Sequence, residues 1–325
     1  MNDSNSTSRW LLADVGGTHT RCALAGSIAD VHDISVMDND SADSLEQLLT
    51  DYLHQVRSSA EPAKVDAAAI GVAAPIMGDH VTMLNRNWRF STDQLRQALQ
   101  LDTLRVINDF TAQALALPHL RNGDDLKKIG GGQGAPGEAL AVLGPGTGLG
   151  VSGLIPYAGG WAPIAGEGGH VTLPATNDLE AALVDAMRER FSHCSAERML
   201  SGPGLALLHE AMTGLHGEAE VLQSREVSAR AAAGDEAAQR TISQFFSWLG
   251  AVAGDLALTL GARGGVYITG GIAPALVDQL MASDFRARFE NKGRYRKWLA
   301  DIPTWLITAR TPALTGLAAL LRDSA

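Results

Sequence analysis

The sequence predicts an α/β protein of two lobes, and three observations carry that prediction. A glycine-rich β-hairpin occurs twice, at residues 10–25 and again at 139–155. Strand-like apolar runs alternate with helix-like segments through both halves of the chain. With 325 residues, the chain is longer than a single core comfortably fills. The expected division is a smaller α/β lobe at 10–120 and a larger one at 121–325, whose last helix could pack back on the small lobe.

The elements follow in order. Residues 1–9 read as a polar tail. Residues 10–15 are an apolar run ending at Gly16-Gly17, and 21–25 return as the second strand of the hairpin. Ser44 and Gln47 have the spacing of a capping box. Leu45, Leu48, Leu49, Tyr52, Leu53 and Val56 then keep helical spacing. Residues 65–72 are almost continuously apolar, as in a strand covered on both faces. Ser91 and Gln94 repeat the capping-box signal before a second helix. Residues 104–107 are a strand with Asn108-Asp109 at its C-terminal end, and 110–117 are helical until Pro118.

Residues 121–138 read as a loop, with five glycines between 130 and 137. Residues 139–143 are a strand that runs into Gly-Pro-Gly-Thr-Gly-Leu-Gly at 144–150, and 151–155 form the returning arm. Beyond Pro174 the pattern is mainly helical, at 180–191, 237–260 and 312–321. Strands at 265–269 and 304–308 interrupt it.

Charge narrows the function classes. The formal net charge is −10, from 26 basic and 36 acidic residues. No general attraction to nucleic acid or to an anionic membrane follows from that balance. An anionic ligand would be held locally, by backbone N–H groups and a metal ion. Two cysteines, Cys22 and Cys194, build neither a disulfide framework nor a cysteine-rich zinc site. They suit a reducing cytosol. The polar start lacks the apolar stretch of a secretory signal, and no apolar run is long enough to span a bilayer. A cytoplasmic location is expected.

Several segments carry candidate chemistry. In Asp14-Val15-Gly16-Gly17-Thr18, glycine lets the backbone approach a phosphate, Thr18 adds a hydroxyl, and Asp14 could hold Mg²⁺ directly or through water. A plain turn with a solvated carboxylate is the alternative. Residues 144–150 offer the same chemistry a second time, through Gly146, Thr147 and Gly148. This is not a Walker A loop, because the Gly-Lys-[Ser/Thr] element is missing. Nor is it a dinucleotide fingerprint, because both hairpins return as strands where that motif requires a helix.

Asp109 lies just past a buried parallel strand, where α/β sheets bind ligands. It could accept a hydroxyl proton during phosphoryl transfer, or it could simply cap the helix that follows. Glu167 and His170, in Gly-Glu-Gly-Gly-His at 166–170, could hold sugar hydroxyls or sit in a surface turn. Glu197 could do the same or only begin a helix. Gly270-Gly271 could let a flat base lie against the backbone, or could make a tight strand–helix turn.

Taken in order, these pieces resemble the bacterial glucokinase family of the hexokinase/actin/Hsp70-type ATPase superfamily. The phosphate-1 element is similar to residues 13–18, the sugar element to Ile107-Asn108-Asp109-Phe110-Thr111-Ala112, and phosphate-2 to residues 144–150. Residues 166–170, 195–204 and 265–271 complete six elements in sequence, and the resemblance covers nearly the whole chain. The cysteine-rich zinc motif of the related ROK kinases is absent from the sequence.

The resemblance implies a ribonuclease H-like, actin-like ATPase fold with a cleft between its lobes. It also implies transfer of the ATP γ-phosphoryl to the 6-hydroxyl of glucose, with Mg²⁺, in a homodimer. Asp109 is then the base, and Asn108, Asp109, Glu167, His170 and Glu197 bind the sugar. Asp14 positions the metal. Gly16, Gly17, Thr18, Gly146, Thr147 and Gly148 take phosphate oxygens, and Gly270 and Gly271 line the adenosine site. His19 stands where many members carry Asn, so an altered nucleotide preference or turnover is conceivable. A kinase for another hexose and a non-catalytic sugar sensor are the rival readings. The sensor would need a basic DNA-binding segment that the sequence does not carry.

Overall fold

The computed structural model describes residues 9–57, 65–83 and 86–323. The polar-tail reading of residues 1–9 falls outside them, apart from Arg9, which begins the first strand. Described contacts group the chain into two compact units, one of Met1–Leu120 with Arg310–Ala325 and one of Arg121–Ala309.

In the first unit, the apolar run at the start forms β1 (Arg9–Val15), which turns through residues 16–18 into β2 (His19–Ser27) and β3 (Asp30–Asp38). Then come α1 (Leu45–Arg57), β4 (Val65–Val72), β5 (His80–Thr82), β6 (Arg89–Ser91), α2 (Thr92–Ala98), β7 (Thr103–Asn108) and α3 (Asp109–Ala116). The sheet order is β3-β2-β1-β4-β7. The first three strands are antiparallel, whereas β1, β4 and β7 are mutually parallel. The apolar run at 65–72 is accordingly covered on both faces, with no residue of β4 exposed.

Both expected caps are present in part. Ser91 Oγ accepts from Gln94 N–H at 3.1 Å, and Ser44 Oγ from Gln47 N–H at 3.1 Å. The Gln47 side chain accepts from Asp43 N–H, one residue before the partner a capping box would use.

The second unit repeats the plan. It runs β8 (Leu126–Gly130), β9 (Leu140–Pro145), β10 (Leu149–Tyr157), β11 (Gly160–Ala165), then α4 (Asp178–Phe191), α5 (Ala196–Met199), α6 (Gly202–His216), α7 (Ser224–Ala232) and α8 (Glu236–Leu260). After these come β12 (Gly265–Ile268), α9 (Ile272–Ala275), α10 (Val277–Ala282), α11 (Phe285–Glu290), α12 (Arg296–Ala300) and β13 (Thr304–Ile307). Sheet order is β11-β10-β9-β12-β13-β8. The first five strands reproduce the order and senses of the first sheet, and β8 adds an antiparallel edge. The core of this unit gathers around α8, whose Phe245, Phe246, Trp248 and Leu249 are fully buried.

Residues 121–138, expected as a loop, contain the strand β8. It carries Lys127 and Lys128 between Leu126 and Ile129 and pairs only with β13, so it shows no apolar run.

The last helix, α13 (Pro312–Arg322), belongs to the first unit. Its Ala313, Leu314, Leu317 and Ala318 pack with Leu12, Ala69 and Ala112. A Cβ on Gly316 would run into the carbonyl oxygen of Ala112. Only glycine allows α13 and α3 so close an approach.

Candidate active site

The ends of three parallel strands gather the candidates of the first unit. Val15, Val72 and Asn108 stand in register across β1, β4 and β7. The turn at 16–18 and the Asn108-Asp109 pair therefore share one edge of the sheet, two strands or about 10 Å apart. That edge is the carboxyl end, where open α/β sheets take ligands.

Asn108 caps α3. Its Oδ1 accepts from Phe110 N–H at 2.9 Å and Thr111 N–H at 3.3 Å. The capping role open to Asp109 thus falls to its neighbour, and Asp109 is the first helical residue. Its Oδ1 also accepts from Phe110 N–H, at 2.9 Å.

Asp14 sits opposite Arg21 in the hairpin, with its carboxylate 3.7 Å from the guanidinium and its side chain 21% exposed. Burial raises the Asp14 carboxyl above its ordinary range, and Arg21 pulls it back only in part. Gly17 and Thr18 form the tip of the turn, and Gly16 N–H donates to His19 O at 3.0 Å. Thr18 and His19 are exposed.

No cluster of three or more His, Cys, Asp or Glu side chains arranged for a metal occurs among the described residues. A single carboxylate beside glycine turns suits Mg²⁺ that arrives on phosphates and keeps its waters, rather than an ion in a protein cage. The donors fit that ion on these terms.

The second unit gathers its candidates around the β9–β10 turn. Gly146 N–H closes the turn on Gly148 O at 2.8 Å, and Gly202 N–H, at the start of α6, holds Gly146 O at 2.7 Å. Thr147 is exposed at the tip. Glu197 lies against this turn. Its Oε2 accepts from Leu149 N–H at 2.8 Å, and a Cβ on Gly148 would run into it. Glu197 Oε1 lies 3.9 Å from His170 Nδ1.

Glu167 is exposed, and its carbonyl accepts from His170 N–H at 3.0 Å, making a short 3-10 turn over Gly168–His170. That turn is seated on β10. A Cβ on Gly168 would lie 2.8 Å from Val151, and one on Gly169 would run into Leu149 O.

Gly270 has φ +85°, and a Cβ there would run into Pro145 O. Gly144 leaves room for the residues that follow the neighbouring β12, because a Cβ on it would meet Thr269 Cγ2 at 2.6 Å. Gly271 is exposed and faces open space. Gly146–Gly148, Glu197, His170 and Gly270 are thus joined within one unit.

Known proteins match this chain. The glucokinase family model matches residues 11–324. The chain belongs to the glucokinase family. Over 315 residues it is 50% identical to a glucokinase of Chromobacterium violaceum, covering 96% of this chain and 89% of that one. Among solved structures, a glucokinase from an Antarctic psychrotroph superposes with a TM-score of 0.88 at 36% identity, over 97% of this chain and 99% of that one. A ROK family glucokinase from Streptomyces griseus, solved with glucose and AMPPNP, gives a TM-score of 0.64 at 20% identity, over 97% and 100%. The duplicated sheet is the actin-like ATPase fold of this family.

Two residues beside the first turn carry no local motif. Asn39, fully buried, and Arg86 bond its backbone across 23 and 69 residues of sequence. Only the buried polar side chain of Asn39, just past a strand, could have drawn attention, and β3 itself is masked by Asp30, Asp33 and Asp38.

Proposed function

We infer that the chain carries out the activity of its family. It transfers the γ-phosphoryl of ATP to the 6-hydroxyl of D-glucose, giving glucose 6-phosphate and ADP, the entry step of glycolysis. The observation that carries this reading is the strand register. It places a carboxylate, Asp109, on the same sheet edge as a glycine turn with backbone N–H groups to offer.

In this reading the glucose 6-oxygen attacks the γ-phosphorus. The new O–P bond forms as the bond from that phosphorus to the β–γ bridging oxygen breaks, and ADP leaves with the bonding pair. Asp109 takes the hydroxyl proton late, as the loose transition state allows. Asn108 spends Oδ1 on the helix cap, so its Nδ2 is the group it offers a sugar hydroxyl. Glu167, His170 and Glu197 hold further hydroxyls. Gly17, Thr18, Thr147 and Gly148 donate to phosphate oxygens, while Gly16 and Gly146, whose own N–H groups close the turns, let the backbone approach those phosphates. Gly270 and Gly271 make the surface for the adenosine. Mg²⁺, positioned by Asp14 directly or through water, supplies charge neutralisation at the phosphates. A cytoplasmic homodimer is the setting we propose. AMPPNP and glucose in the Streptomyces griseus relative support the choice of substrates.

Asp109→Asn tests the base. The expected result is a fall in kcat of about 10²–10⁴-fold, with glucose binding retained by fluorescence titration. Near-normal turnover would overturn the assignment. A coupled assay over a panel of hexoses decides the acceptor, with glucose expected to give the highest kcat/KM.

A further inference from the structure

Three successive carbonyl groups in the first glycine turn are held from one side. Gly16 O accepts from Asn39 Nδ2 at 2.9 Å. Gly17 O accepts from Arg86 Nη1 at 3.3 Å. Thr18 O accepts from Asn39 N–H at 2.9 Å. No peptide bond among the described residues is cis. In a trans peptide the C=O and the N–H of one plane point in opposite directions. Fixing the carbonyls of Gly16, Gly17 and Thr18 therefore fixes the N–H groups of Gly17, Thr18 and His19, each directed away from its clamp.

The clamp is itself held. Asn39 Oδ1 accepts from Thr20 Oγ1 at 2.7 Å, and both residues are fully buried. Arg86 Nη2 donates to Asn39 O at 2.9 Å and to Asp40 Oδ1 at 2.8 Å. The Arg86 guanidinium lies 4.7 Å from the centre of the Trp88 ring, with only 17% of its side chain exposed. Stacking on an aromatic face and a fan of planar donors are what arginine provides and lysine does not.

We propose that Asn39 and Arg86 are positioning residues for the phosphoryl donor. They hold the peptides of the 16–18 turn in the orientation that presents N–H groups to a phosphate, before the nucleotide arrives. This rests on the reading of that turn as a phosphate site. Neither side chain need touch the nucleotide. Their contribution is preorganisation, which strengthens donors by removing the cost of turning them.

The test is Arg86→Met, which keeps much of the stem and removes the donors, with Arg86→Lys as the conservative partner. The expected result for Arg86→Met is a rise of about tenfold in KM for ATP and in the dissociation constant of AMPPNP, the equivalent of one lost hydrogen bond to a charged group. Glucose affinity measured without nucleotide stays within about twofold, the tolerance expected of a site the turn does not touch. Arg86→Lys recovers part of the loss. Asn39→Asp keeps the Thr20 contact, sets a carboxylate oxygen against Gly16 O, and weakens AMPPNP further.

Unchanged AMPPNP affinity in folded Arg86→Met would overturn the proposal. So would equal losses for glucose and nucleotide, which mark a general structural defect. Should Arg86→Met fail to fold, Arg86→Lys and Asn39→Asp carry the same readout. Thr18→Val separates the two layers. If it weakens AMPPNP while Arg86→Met does not, the phosphate reading stands and the positioning role falls. If neither weakens it, both fall.

Discussion

The two glycine hairpins occupy equivalent places in equivalent sheets, yet they are secured by different means. The β1–β2 turn is pinned chiefly by the side chains of Asn39 and Arg86, with Asn39 N–H on Thr18 O as the one backbone bond of the clamp. The β9–β10 turn is pinned by backbone, through Gly202 N–H at the start of α6, and by the candidate sugar ligand Glu197 next door. On the proposed reading, the first arrangement keeps nucleotide contacts separable from sugar contacts. The second ties them together. Two residues before Gly16 stands Asp14, and two before Gly146 stands Gly144, where the backbone at Thr269 and Gly270 leaves no room for a side chain. Only the first hairpin therefore has space for a metal-positioning carboxylate.

Three variants would sharpen or break that contrast, ordered by their effect on stability. Gly270→Ala strikes the crowded second hairpin. It forces a left-handed φ on a side chain that also runs into Pro145 O. A loss of about 3 kcal/mol or more is expected, read as a collapsed denaturation midpoint or insoluble expression. A stable, active Gly270→Ala would show that the turn after β12 is not locked there.

Glu197→Ala should come next. It leaves the Leu149 N–H without its partner and costs about 1–3 kcal/mol. Because the same carboxylate is the proposed sugar ligand, KM for glucose should rise along with the loss of stability. Glu197→Gln retains an acceptor and should recover most of the stability by thermal melt. Intact glucose affinity in Glu197→Ala would remove it from the sugar site.

Asp14→Asn has the smallest stability effect and the opposite sign. Burial raises the Asp14 pKa, so folding favours the protonated acid. That contribution is complete below the unfolded value of about 3.9 and is lost as pH rises through the raised folded one. At pH 8 the ionised group is a liability that the amide removes. Tm should rise at pH 8, with the gap closing toward pH 4. Activity should fall sharply at every pH. A lower Tm at pH 8 would contradict the burial argument.

Much of the fold was legible because its signals are local. Apolar runs at 10–15, 65–72 and 139–143 announced the central strands, and Ser44 and Ser91 announced helix starts. Three of the four edge strands of the two large sheets were not legible, β7 being the exception. β3, β8 and β11 each meet a neighbour on one side only, so nothing forces an apolar pattern on them. At the site, glycine turns and the residues beside them could be read because backbone geometry requires those types. The assignment of the cap to Asn108 rather than Asp109 could not, because either side chain suits that position. Asn39 and Arg86 escaped notice for a different reason. Their partners are distant in sequence, and carbonyl oxygens leave no mark on the residue that bears them.

The close packing of α13 against α3 has a consequence for biosynthesis. Asp109 begins a helix whose neighbour is assembled from residues 312–322, some two hundred positions further along the chain. The ribosome delivers the residue proposed as the base long before it delivers the helix that completes its support. During translation the second unit, continuous in sequence from Arg121 to Ala309, has all its parts while the first still waits. Domains tend to fold as they emerge, but one closed by a late segment waits until that segment has left the ribosome. A nascent chain should therefore hold a finished second unit before it can phosphorylate anything.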